Sequence, residues 1–124
     1  KLSYLLLKKE GAIMTEAKIE EVMEIFAKEA KKVYGNKLKS IILYGSCARG
    51  DFSNDSDIDV LILLDVPPEK IGTERKRMLQ VTDQLDWEYD VVLAPVYQNY
   101  AVYEKYIPVS VFYQNVEREG IKIA

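Results

Sequence analysis

The sequence predicts an α/β (α+β) domain: a mixed β-sheet of three to four strands with helices packed mainly on one face. Three observations predict it. Apolar residues recur at helical spacing over 15–34. Two β-branched runs, 40–44 and 57–64, stop abruptly at Gly45 and at Pro67-Pro68. A second helical period over 69–86 then leads to a third apolar run at 89–94, giving the order α-β-β-α-β-α. At 124 residues the chain is long enough for one core and too short for two.

Each element has a local reason. Thr15 is a good N-cap, and Ile19, Val22, Met23, Phe26, Ala30 and Val33 form one stripe, with Lys28, Lys31 and Lys32 in the later turns. Gly35-Asn36 tolerates the left-handed cap that ends the helix. Ser40 to Tyr44 reads as an interior strand, and residues 45–56, rich in Gly, Ser, Asp and Asn, read as a loop with room for one helical turn. The strand 57–64 follows. Ile71, Met78, Leu79, Thr82 and Leu85 mark the next helix, Tyr89 to Ala94 the third strand closed by Pro95, and 110–118 a short last helix before Gly120 and Ile121-Lys122-Ile123. Residues 1–14 read as an N-terminal extension ahead of a domain spanning 15–124, with Met14 as a candidate start. The run Leu5-Leu6-Leu7 is halted by Lys8-Lys9-Glu10 before it could serve as a signal core.

Composition narrows the chemistry. With 48% apolar and 30% charged residues the chain is expected to fold rather than stay disordered. No apolar run reaches membrane-spanning length, so no membrane association is expected. The chain has no histidine, which excludes Ser-His-Asp and Cys-His catalysis and leaves carboxylates to carry acid–base work or metal binding. A net charge of −3 (17 basic against 20 acidic residues) is not that of a stand-alone nucleic-acid binder. One cysteine, Cys47, cannot form an intrachain disulfide and fits a reducing cytoplasm. Without an imidazole to activate it, Cys47 reads as a small packing residue rather than a nucleophile.

Three features could carry chemistry. Strand alternation puts Asp57 and Asp59 on one face, roughly 6.5 Å apart, with Ile58, Val60, Ile62 and Leu64 on the other. Two acids opening an apolar strand repel each other, and a hard divalent cation such as Mg²⁺ relieves that repulsion. Gly45-Ser46 follows the first strand, where glycine allows close backbone approach and Ser46 offers a hydroxyl and an N–H; Arg49 adds a charge suited to phosphate. Asp90 is placed on the third strand as a possible third carboxylate, with Glu88 as a rival on the same face. Outside these, Arg75-Lys76-Arg77 reads as a solvated helix face, and Tyr97, Tyr100, Tyr103 and Tyr106 as core packing or an interaction surface.

Taken together, Gly45-Ser46-Cys47-Ala48-Arg49-Gly50, ten residues from Ser46 to Asp57, and Ser56-Asp57-Ile58-Asp59, then Asp90, resemble the nucleotidyltransferase superfamily related to DNA polymerase β. The resemblance is to its minimal nucleotidyltransferase (MNT) branch; it is close over 38–94, and Tyr113 to Gly120 is similar as well. It implies the nucleotidyltransferase fold. It also implies two Mg²⁺ ions held by Asp57, Asp59 and Asp90, ATP as donor with its phosphates at Gly45, Ser46 and Arg49, and Asp90 on the acceptor side taking the hydroxyl proton.

Such a short chain lacks the acceptor-binding domain of larger relatives, so the resemblance points to the antitoxin of HEPN/MNT toxin–antitoxin modules. The implied activity is transfer of AMP to a hydroxyl, a tyrosine, of a HEPN ribonuclease toxin within a hetero-oligomer. Two other readings stay open: an antitoxin that neutralises by masking alone, and a small-molecule nucleotidyltransferase similar to aminoglycoside-modifying enzymes.

Overall fold

A computed structural model describes residues 13–124; all but the last two residues of the expected N-terminal extension lie outside the described residues. Helix α1 (Glu16–Tyr34) is capped by Thr15, whose Oγ1 accepts from the Lys18 N–H at 3.1 Å, and it ends at Gly35 with φ 57°. Strand β1 (Leu38–Tyr44) runs into the four-residue helix α2 (Ser46–Arg49), and strand β2 (Ile58–Leu64) follows the loop. Helices α3 (Ile71–Lys76) and α4 (Leu79–Tyr89) cross over to strand β3 (Leu93–Asn99). Helices α5 (Tyr100–Tyr106) and α6 (Val111–Glu119) precede strand β4 (Ile121–Lys122).

The sheet order is β3-β2-β1-β4, with β2 parallel to β3 and the β1 pairings antiparallel. The crossover through α3 and α4 is what a parallel pair requires. Alternation along β2 splits the interior. Ile58, Val60, Ile62 and Leu64 join Ile41 and Leu43 of β1 under Val22, Met23, Phe26 and Ala30 of α1 and Leu85 of α4. Burying each of these large side chains contributes roughly 1.5–3 kcal/mol, which locks the alternation. Leu61 and Leu63 point to the other face and meet Tyr103 of α5 and Val116 of α6. The mixed sheet with helices mainly on one face is therefore as expected, with a small second layer from the C-terminal helices.

Two elements differ from the expectation. The helix expected over 69–86 is broken into α3 and α4 around Arg77-Met78. The third strand begins at Leu93, not Tyr89, and runs through Pro95 to Asn99. Asp90 ends α4 in the left-handed region (φ 52°, ψ 52°), so Tyr89 and Glu88 belong to the helix. Pro95 does not close the strand because β3 is an edge, where a missing N–H leaves no ladder bond unmade. Tyr97 consequently lies on β3, whereas Tyr100, Tyr103 and Tyr106 lie on α5. Tyr97 and Tyr103 are buried; Tyr100 and Tyr106 are exposed. Among the described residues no helix is long and apolar enough to cross a membrane.

Candidate active site

The site is assembled by strand register. Tyr44 of β1 pairs with Asp59 of β2, which in turn pairs with Ala94 of β3, so these three share one row on the same face of the sheet. Directly after Tyr44 the chain turns at Gly45 with φ 74° and ψ −156°, a conformation essentially confined to glycine. A Cβ on Gly45 would lie 2.5 Å from Asp59 Oδ2. The Asp59 carboxylate is therefore seated against the bare Cα of the turn, and the glycine is needed for both its backbone angle and its missing side chain.

The turn itself is α2. Ala48 and Arg49 donate their N–H groups to the Gly45 carbonyl at 3.1 and 3.0 Å. The N–H groups of Ser46 and Cys47 open the turn, where no intrahelical acceptor exists. Cys47 is buried, and its Sγ–H donates to the Asp57 carbonyl at 3.4 Å, tying the turn to the start of β2. Burial pushes the Cys47 thiol up, away from the reactive thiolate, in keeping with a packing residue.

Asp57 is exposed just ahead of β2, and Asp59 is half-buried one step inside it. Burial first, and then the charge of Asp57, hold the Asp59 carboxyl above its ordinary range; Arg49 opposes them. Burial, with Asp59 adding, also raises the Tyr44 phenol. The guanidinium of Arg49 is shared by two carboxylates: Nε donates to Asp51 at 3.2 Å and Nη1 to Glu119 at 3.1 Å. The Glu119 contact joins residues 70 positions apart. Nothing in the sequence signalled it beyond the resemblance of the stretch that ends at Gly120.

The structure brings Gly45, Ser46, Arg49, Asp57 and Asp59 to one corner. It does not place Asp90 on the strand beside them, because Asp90 caps α4 in the left-handed region and β3 starts only at Leu93; the β3 positions that share the Asp59 face begin with Ala94 and Val96. Asp90 is exposed at the end of α4 and lines a cavity of about 310 Å³ with Asn54, Asp55, Ser56 and Val92. Glu88, the rival, is helical and accepts from Gln84 Nε2 at 2.9 Å. Among the described residues no three Asp, Glu, Cys or His side chains converge as a metal cage. A larger cavity of about 460 Å³ lies between α1 and the α2 turn; it is mostly apolar and contains neither Asp57 nor Asp59. The donor set at the corner is thus two carboxylates, hard oxygen ligands suited to Mg²⁺, which characteristically binds one or two carboxylates and completes its shell with water and phosphate.

Comparison with known proteins agrees with this geometry. The family model described as a nucleotidyltransferase domain matches residues 12–123. The chain is 33% identical over 106 residues to "Putative protein adenylyltransferase MJ0141" of Methanocaldococcus jannaschii, covering 85% of this chain and 98% of that protein. It is 34% identical over 101 residues to "Putative protein adenylyltransferase MJ0604" of the same organism, covering 82% and 93%. A solved toxin–antitoxin structure with AMP-PNP shares the fold at a TM-score of 0.50 and 19% identity, over 82% of this chain and 72% of that one. With a match over nearly its whole length and relatives of its own size, the chain belongs to the nucleotidyltransferase-domain family.

Proposed function

We propose that the protein is a Mg²⁺-dependent adenylyltransferase that transfers AMP from ATP to a tyrosine hydroxyl of a HEPN ribonuclease toxin, and so acts as its antitoxin. One observation carries the reading: the Asp59 carboxylate rests directly on Gly45, so the turn suited to phosphates and the acid suited to a metal form a single corner. The adenylyltransferase names of the relatives and the toxin–antitoxin neighbour support the donor, the class of acceptor and the partner.

In this reading Asp57 and Asp59 would hold magnesium, which would supply neutralisation of the negative charge on the phosphates. Ser46, the opening N–H groups of α2 and Arg49 bind and orient the β and γ phosphates. The acceptor oxygen bonds to the α-phosphorus, the bond from that phosphorus to the bridging β-phosphate oxygen breaks, and pyrophosphate leaves. Asp90, off the strand and outside the paired acids, accepts the hydroxyl proton from the acceptor side.

On β3 the nearest residues that share the Asp59 face are Ala94 and Val96, both uncharged and Val96 exposed. That edge suits an apolar protein surface.

The test is to incubate the protein with ATP, Mg²⁺ and the HEPN protein encoded beside it, and to weigh the latter. A gain of one or more adenylyl groups, lost in Asp57→Asn with Asp59→Asn, is expected. Unchanged mass together with restored growth would overturn the enzymatic reading in favour of masking. A masking antitoxin has its own supporting observation, since Val109 and Val111 are 75% and 71% exposed at the start of α6.

A further inference from the structure

The C-terminal segment reaches back to the phosphate corner. Strand β4 pairs antiparallel with the end of β1, Leu43 opposite Ile121, and Glu119, the last residue of α6, reaches Arg49 of the α2 turn. The approach is tightly defined. A Cβ on Gly120 would collide with the Val116 carbonyl and with Ile42 Cγ2, and the Gly120 N–H donates to Val116 at 2.8 Å. Only a glycine lets the chain leave α6 this close to β1, and this close approach sets where Glu119 points.

At that point Glu119 Oε2 accepts from Arg49 Nη1 at 3.1 Å, while Asp51 takes Nε at 3.2 Å. A guanidinium has five N–H donors. Two carboxylates on two different nitrogens fix its plane and leave the other donors to face a ligand. An arginine at the end of a four-residue helix, with its side chain 44% exposed, would otherwise sample many rotamers. Exposed ion pairs of this kind add little to stability, so the contact is better explained by orientation than by folding energy.

We propose that Glu119 is a positioning residue that holds the Arg49 guanidinium toward the triphosphate at the Gly45–Ser46 corner. The proposal rests on the reading of that corner as a Mg·ATP site. Glu119 also pairs with Arg118 Nη2 at 3.5 Å, but it reaches the corner through Arg49 and touches no reacting atom.

The experiment is a double-mutant cycle on Mg·ATP binding by calorimetry, using the full chain as wild type, Glu119→Gln, Arg49→Gln and the double variant. Glu119→Gln should weaken Mg·ATP roughly three- to tenfold, the size of one partly exposed charge-assisted contact, at an unchanged melting temperature. In the Arg49→Gln background it should have no further effect. Unchanged or tighter binding by Glu119→Gln would overturn the proposal, as would the same loss in the Arg49→Gln background, which would show that Glu119 acts elsewhere. The NMR signal of the Arg49 Nε–H in the ligand-free protein gives a second readout. It should be sharp and slow to exchange in wild type and broadened in Glu119→Gln, and an identical signal in both would refute the positioning role. A wild-type protein that binds no Mg·ATP would sink the functional reading itself, whereas the NMR comparison still decides whether Glu119 orients the arginine.

Discussion

Replacing Gly45 by alanine separates what the corner does for folding from what it does for function. The native backbone, φ 74° and ψ −156°, lies in a region essentially closed to side-chain-bearing residues, and holding alanine there costs on the order of 1–3 kcal/mol. For a domain of this size about 3–5 °C of melting temperature accompanies each kcal/mol, so a drop of roughly 3–15 °C is expected. The steric conflict is separate. The new methyl would lie 2.5 Å from Asp59 Oδ2, the free end of a side chain, so the carboxylate rotates away rather than the sheet. That relief leaves the fold intact and removes the acid from the turn. A misplacement of this size at a preorganised site costs about 10²- to 10³-fold in rate. The assay is calorimetric melting alongside Mg·ATP binding and adenylyl transfer, with Gly72→Ala as the control. Gly72 sits in α3 with open space around its Cα, and alanine there should stabilise by roughly 0.5–1 kcal/mol. A Gly45→Ala protein that melts lower yet binds Mg·ATP and transfers at the wild-type level would refute the claim that this contact builds the site.

Three further outcomes follow from the same geometry. Asp57→Asn should abolish Mg·ATP binding, whereas Asp90→Asn should slow transfer by about 10²-fold or more with Mg·ATP affinity kept; an equal loss of affinity in both would make Asp90 a metal ligand after all. Tyr103 is buried and its hydroxyl donates to Glu117 Oε2 at 2.5 Å, so Tyr103→Phe should lower stability by roughly 1–2 kcal/mol in denaturant titration without altering Mg·ATP binding. Burial pushes the Tyr34 phenol up to about 12 and raises those of Tyr97 and Tyr103 as well. The folded state keeps these protons where the unfolded chain begins to lose them, near pH 10. Stability should therefore hold below pH 10 and fall steadily as the pH rises from there through 12. A flat denaturation midpoint across that window would contradict the burial of these rings.

What was legible in the sequence was local. The Thr15 cap and the stripe from Ile19 to Val33 place α1 where it lies, because cap chemistry and helical period are read from neighbouring residues. The place of Asp57 and Asp59 at the head of β2 is marked by the apolar run that starts between them, with Asp59 inside the strand and Asp57 just ahead of it. The third strand was displaced by four residues because its boundary is not a matter of propensity. Tyr89-Asp90-Val91-Val92 has the composition of a strand, yet Asp90 adopts a left-handed cap and its neighbour Asp86 accepts the Leu93 N–H at 2.8 Å, which starts the strand later. Pro95 reads as a stop only if the strand is interior, and edge position is a property of the sheet rather than of the segment. Glu119 was invisible for the same reason: its contact with Arg49 exists only because β4 folds back onto β1.

Register is what links the core to the chemistry. A slip of one residue between β1 and β2 would turn Val60 and Ile62 out of the cluster beneath α1 and bury Asp59 in their place. Burying an unpaired carboxylate there, and losing several fully buried aliphatic side chains, would each cost several kcal/mol. The apolar face thus holds Asp59 against Gly45 as firmly as it holds the fold together. The other face is free to carry function because Leu61 and Leu63, and not the acids, meet the C-terminal helices. It follows that the site depends on α1 although none of the acids lies on it. Truncating Phe26, which is fully buried over β1 and β2, should weaken Mg·ATP binding only to the extent that it unfolds the chain, because the native register admits no partly slipped alternative.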